Sequence, residues 1–206
     1  FTKLVRPAVP VGGACGRRGV DVFFGALWLY VSLLLISGSL GAFSFALIVL
    51  FAESDGGPTA TALCVGLWGL GSFVGLAFLR LDVVARSGSH RGLYALLVAM
   101  AVFQAAVMID DGVVVFVISL LAGLPISAVI TGAYDLLTEV VPEGAQGEYF
   151  AWATTMIFVG DAVGAAVCGV VADRIGFAAG PVLASACAVA AVVAIGWHRS
   201  RAEETV

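Results

Sequence analysis

Asp161 is the residue best suited to chemistry, because it is an ionisable group inside an otherwise apolar run that reads Thr154-Thr-Met-Ile-Phe-Val-Gly-Asp-Ala-Val-Gly164. A carboxylate near the middle of a lipid bilayer costs about 2.5–3.5 kcal/mol on insertion scales. Such groups are kept where they face a bundle interior or a watery path for a solute or a proton. The plainer alternative is a neutral, hydrogen-bonded packing residue. Small polar groups on other apolar runs could line the same path: Ser37, Ser39 and Ser44 around Gly41, and Thr131. Each of these also suits simple helix contacts. Catalytic patterns are missing, with no His-Glu-x-x-His and no Gly-x-Ser-x-Gly, and both His90 and His198 fall at the edges of apolar runs. The expectation is a chain that is not an enzyme and needs no cofactor. Cys15, Cys64, Cys168 and Cys187 lie far apart, without a Cys-x-x-Cys or a Cys/His cluster. They point to neither a metal site nor a disulfide framework, and three of them read as small buried thiols.

The elements that must position Asp161 follow from composition. Hydrophobic residues make up 61% of the 206 residues and charged residues only 12%, about half the share usual in a soluble domain. The net charge of −4 is spread out, so no nucleic-acid footprint is present. Reading between charges gives six apolar spans, at about 22–52, 59–79, 92–109, 112–134, 149–172 and 175–197. A spanning helix needs about 20 such residues, so the expected fold is all-α and integral to the membrane, with six transmembrane helices. Residues 1–20 read as a basic segment, 21–198 as the six-helix domain and 199–206 as a tail. The runs lack the alternation of a membrane β-barrel. The first span is overlong, and its Ser37-Gly38-Ser39-Leu40-Gly41 suggests a bent or tilted helix.

Small residues mark where helices approach closely in lipid. Gly71 and Gly75 fall on one face of the second span, and Gly160, Gly164 and Cys168 on one face of the fifth. Pro125 removes a backbone hydrogen bond in the fourth span and should bend it. Lys and Arg accumulate in cytoplasmic loops. Lys3, Arg6, Arg17, Arg18, Arg80, Arg86, Arg91, Arg199 and Arg201 fall on one side of the six spans, and only Arg174 on the other. Both termini are therefore expected in the cytoplasm. Trp152 and Trp197, with Tyr149 and Tyr94, suit an aromatic belt at that surface.

The stretch Thr138-Glu-Val-Val-Pro142-Glu-Gly-Ala-Gln-Gly147-Glu-Tyr-Phe-Ala-Trp152 resembles the connection between the tenth and eleventh helices of major facilitator superfamily transporters. Gly160, Gly164 and Gly169, followed by Ala172-Asp173-Arg174-Ile-Gly176-Phe, resemble the eleventh helix and its turn into the twelfth. Gly41-Ala42-Phe43 through Phe51-Ala52-Glu53, and Leu67-Trp-Gly-Leu-Gly-Ser72, are similar to helices seven and eight of bacterial drug or sugar efflux members. The resemblance covers about residues 20–197 and implies the C-terminal six-helix half of a twelve-helix fold. Two features depart from it. The connection Arg80–Arg91 keeps the basic character of the family's Gly-x-x-x-Asp-Arg-x-Gly signature without its spacing, and Asp161 stands where a small neutral residue is usual.

The function this resemblance implies is secondary active transport in a bacterial plasma membrane: proton-coupled efflux of a small organic solute, as an antiporter, by alternating access. Its partners would be the lipid bilayer, the solute, protons, and a missing N-terminal half or second subunit, with Phe1 in place of an initiator Met reading as a fragment or processed chain. The alternatives are a non-transporting scaffold or regulatory subunit, and a half-size transporter working as a homodimer.

Overall fold

A computed structural model describes residues 15–52, 57–79, 89–109, 113–141, 144–176 and 178–204. The described chain is helical throughout: α1 (Cys15–Ala52), α2 (Gly57–Leu79), α3 (Ser89–Ala106), α4 (Val113–Val140), α5 (Gln146–Ile175) and α6 (Ala179–Glu204), with a 3-10 turn over Val107–Ile109. The basic segment before Cys15 and the basic connection over 80–88 lie outside the described residues. Five helices hold stretches long and apolar enough to cross a membrane, whereas α3 offers a shorter one, Gly92–Ala106. That stretch is about 22 Å long at 1.5 Å per residue, against a hydrocarbon core of about 30 Å. The 3-10 turn continues α3 at the far end.

Several helices run past the charges that bound the apolar spans. α4 continues through Asp135 to Val140, and α5 carries Asp173 and Arg174 in its closing turns. Helix propagation adds one backbone bond per residue whatever the side chain's polarity, so a charge marks depth in the membrane rather than a helix end. What ends α5 is Gly176, whose positive φ of 102° turns the chain while its N–H still bonds the carbonyl of Ala172. α1 is likewise a single helix of 38 residues through the serine–glycine stretch. At about 57 Å it exceeds the membrane thickness, and its apolar part is Ala26–Phe51.

Packing places four helices in a row, α5–α1–α4–α2, with α6 behind α1, α3 behind α4, and α3 against α6. Exchanging α1 with α4, α2 with α5 and α3 with α6 reproduces the most extensive helix pairings, α5 on α1 as α2 on α4 and α6 on α1 as α3 on α4, but not the lesser ones, since α1 also meets α2 where α4 barely meets α5. The units α1–α3 and α4–α6 thus share their main helix pairings, as inverted repeats would. Burial follows from the row. In its most apolar window α1 is 61% buried, while α2 and α5 at the ends are 17% buried. One core cluster sits around Leu33, Leu97, Met100, Val129 and Leu137, and a second around Phe43, Leu47, Val115 and Ala122. Trp68 packs against both and lies 5.9 Å from the Phe43 ring. Cys64 and Cys168 are buried free thiols.

Candidate functional site

The site begins with glycines. A Cβ on Gly160 would overlap the main-chain carbonyl of Leu34, and one on Gly164 that of Gly38, so α5 crosses α1 at backbone contact. A similar crossing of α2 and α4 uses Gly71 against Leu120 and Gly75 against Leu124. Without these side chains the backbones approach closely enough for dispersion to hold the pair together in lipid, where no hydrophobic drive exists between helices. Gly123 belongs to the second crossing, against Trp68 and Gly71. Pro125 is buried one residue beyond Leu124, inside a helix that continues past it.

This matched register pairs the next residues too. Ser72 follows Gly71 as Asp161 follows Gly160, and Ser127 lies three residues past Leu124 as Gly41 lies three past Gly38. Ser72 and Ser127 satisfy each other, with hydroxyl oxygens 2.6 Å apart. At the equivalent place α1 supplies Gly41, whose missing Cβ makes room for the main chain of Asp161. A carboxylate therefore stands where its counterpart is a paired hydroxyl. Asp161 is exposed, near the midpoint of α5.

Asp161 shares its face of α5 with Phe158 and Thr154, three and seven residues away and both exposed, as the 3.6-residue period requires. Thr154 donates its hydroxyl to the carbonyl of Phe150, so the 2.9 Å contact between Tyr134 and Thr154 is donated by Tyr134. The Tyr134 ring also lies 5.6 Å from that of Phe150. These contacts join α4 to α5 below Asp161. Thr131 is half-buried one turn from Tyr134 on α4. The result is a strip shared by two helices: Thr131 and Tyr134 on α4, and Thr154, Phe158 and Asp161 on α5.

The serines of α1 go elsewhere. Ser39 is fully buried inside the bundle and donates to the Gln104 side-chain oxygen at 2.9 Å. Ser37 is buried beside Gly160, with no hydrogen bond to its hydroxyl among the described residues. Ser44 is half-buried and bonds back to the carbonyl of Gly41. Gln104 is a site residue that sequence reasoning passed over, although an amide inside the apolar run of α3 is itself the signal. Its side-chain nitrogen is buried without a described partner. A cleft of about 400 Å³ lies where α1 and α5 part beyond their glycine crossing, lined by Tyr30, Glu148, Tyr149 and Trp152 among others. Tyr30 donates to the Tyr149 carbonyl at 3.2 Å. Trp152 is nine residues from Asp161, on the opposite side of α5, so the cleft and the strip are separate.

This arrangement can hold a charged group at mid-depth and expose it beside an aromatic ring. The described residues gather no group of three or more His, Cys, Asp or Glu side chains fit to hold a metal ion. No curated protein matches the chain in a sequence comparison. A family model described as "Uncharacterised MFS-type transporter YbfB" matches residues 26–197, which reaches into all six helices and takes in the whole strip. That match spans most of the chain, and the chain belongs to the MFS-type transporter family, the major facilitator superfamily.

Proposed function

We propose that the chain is the C-terminal six-helix half of a twelve-helix secondary transporter that exports a small organic solute against an inward flow of protons. The observation that carries the reading is Asp161: an exposed, mid-depth carboxylate on the least buried flank of the bundle. Lipid would not tolerate it there, so a second unit or a watery cavity must cover that flank. A transporter of this fold binds its solute between two halves near the midplane and rocks one against the other. Such a cycle moves the solute without making or breaking a covalent bond in it, so no catalytic residue is assigned. The excess of Lys and Arg on one side of the spans supports cytoplasmic termini in a plasma membrane.

The test is tolerance of an efflux-deficient bacterial host to a panel of toxic organic compounds. Expression of the complete protein should raise tolerance to at least one compound, a protonophore should abolish the gain, and Asp161→Asn should remove its dependence on external pH. A panel of neutral, anionic and cationic compounds without any gradient-dependent gain would refute the reading.

A further inference from the structure

We propose that the cleft between α1 and α5 is a lipid site, which takes the headgroup ammonium of a zwitterionic phospholipid from the leaflet at the N-terminal end of α1. The cleft holds about 400 Å³ and is lined by Ala26, Leu27 and Tyr30 from α1 and by Glu148, Tyr149 and Trp152 from α5. Ala26 is also the first residue of the apolar span of α1, so the cleft lies at the depth where hydrocarbon gives way to headgroups. Three aromatic residues at that level match the belt that anchors helices at a membrane surface.

The lining sets the chemistry of the occupant. Tyr30 donates its hydroxyl to the main-chain carbonyl of Tyr149 at 3.2 Å, which ties the two helices together beside the cleft. Tyr and Trp rings attract a cation through their quadrupoles, Trp most strongly. Glu148 is the one acid in this lining, and among the described residues no hydrogen bond or ion pair engages its carboxylate. An ammonium can therefore meet ring faces and a carboxylate together, while Leu27, 41% exposed, offers apolar surface to an acyl chain. A headgroup of net negative charge is the poorer fit, because it brings a like charge to Glu148 without a cation to offset it.

Position favours lipid over the transported solute. Trp152 lies nine residues from Asp161 and on the opposite side of α5, whereas the Asp161 side is the one tied to α4 through Tyr134 and Thr154. Leu27 and Trp152 are both exposed, so bilayer lipid reaches the cleft without passing through the bundle. A divalent metal ion would need several oxygen ligands, and the described residues gather no such group. The basic segment ahead of α1, with Lys3 and Arg6, is the competing source of a cation, and the measurement separates the two.

That measurement is lipid retention by the complete protein in native mass spectrometry, after titration with phosphatidylethanolamine, phosphatidylcholine or phosphatidylglycerol of identical acyl chains. Both zwitterionic lipids should bind several-fold more tightly than phosphatidylglycerol. Glu148→Gln should remove most of that preference, whereas Glu139→Gln, at an exposed acid of α4 outside the cleft, should leave it unchanged. Trp152→Ala should weaken the zwitterionic lipids by about two- to fivefold, the size of an exposed cation–π contact, and Trp152→Phe should keep most of the affinity. Equal binding of phosphatidylglycerol, or a Glu148→Gln variant with unchanged preference, overturns the proposal. Unchanged affinity in Trp152→Ala overturns it as well. If wild type shows no preference and one emerges on Lys3→Ala with Arg6→Ala, the cleft belongs to the chain's own basic segment and the lipid assignment falls.

Discussion

Ser39 and Gln104 show how much a single buried polar pair constrains this bundle. Both side chains are fully buried, and the Gln104 oxygen accepts from Ser39. Removing one partner strands the other away from water, which costs about 1–3 kcal/mol, whereas replacing both with apolar groups of matching shape is close to neutral. Ser39→Ala alone should therefore lower the thermal midpoint of the purified protein by several degrees. Combining it with Gln104→Leu should restore most of that loss. A double variant less stable than Ser39→Ala would mean that the amide has a further partner worth keeping, such as a bound water on its free nitrogen. The exposed carboxylate of Asp161 behaves in the opposite way, because nothing in the described chain compensates it.

The crossings of α1 with α5 and of α2 with α4 are the elements that fix the row. Gly164 and Gly75 each press on a main-chain carbonyl of the facing helix, so an added side chain has to move a backbone rather than a flexible tip. Gly164→Val should destabilise the protein by about 1–3 kcal/mol, the usual range for overpacking, read as a loss of folded, monodisperse protein on heating in detergent. Gly66 and Gly69 of α2 are the internal controls, since a Cβ at either meets nothing within 4 Å. Ala there should leave the stability of the six-helix bundle unchanged or slightly raised, because Ala favours helix over Gly by up to about 1 kcal/mol. Equal damage from Gly164→Val and Gly66→Ala would argue against backbone contact at the α1–α5 crossing.

For the whole molecule, the packing leaves α2 and α5 at the ends of the row with most of their apolar surface bare. Phe73 and Phe158, 72% and 71% exposed, mark the two flanks. In the membrane those flanks meet lipid or a second bundle, and Asp161 favours the latter for α5. Topology is open to direct measurement. Cysteines placed at Gly144 and Ala178, in the turns before and after α5, belong to opposite ends of one spanning helix. In a background with the native cysteines replaced, Ala178→Cys should react with an impermeant thiol reagent on intact cells, and Gly144→Cys only after the membrane is opened. Reaction of both from the outside would contradict an odd number of crossings between them, and reversal of the two would place the termini outside.

The amino-acid sequence by itself determined what depends on sums along the chain. Twenty apolar residues in a row favour the bilayer whichever neighbours they acquire, so a membrane-integral, all-α chain was legible before any packing was known. Spaced glycines at Gly71, Gly75, Gly160 and Gly164 declared contact faces for the same local reason, that residues four apart stack on one side of a helix. Their partners were not legible, because which helix a small face meets is settled by lateral packing among all six. Only the tertiary structure decided that Ser39 turns inward to Gln104, that Tyr134 reaches Thr154, and that α5 stands at the end of the row. The fate of Asp161 was decided there as well. A carboxylate in an apolar run reads the same whether it faces inward or outward, and its exposure follows from the main chain of α5 lying against Gly41, a contact between residues 120 positions apart.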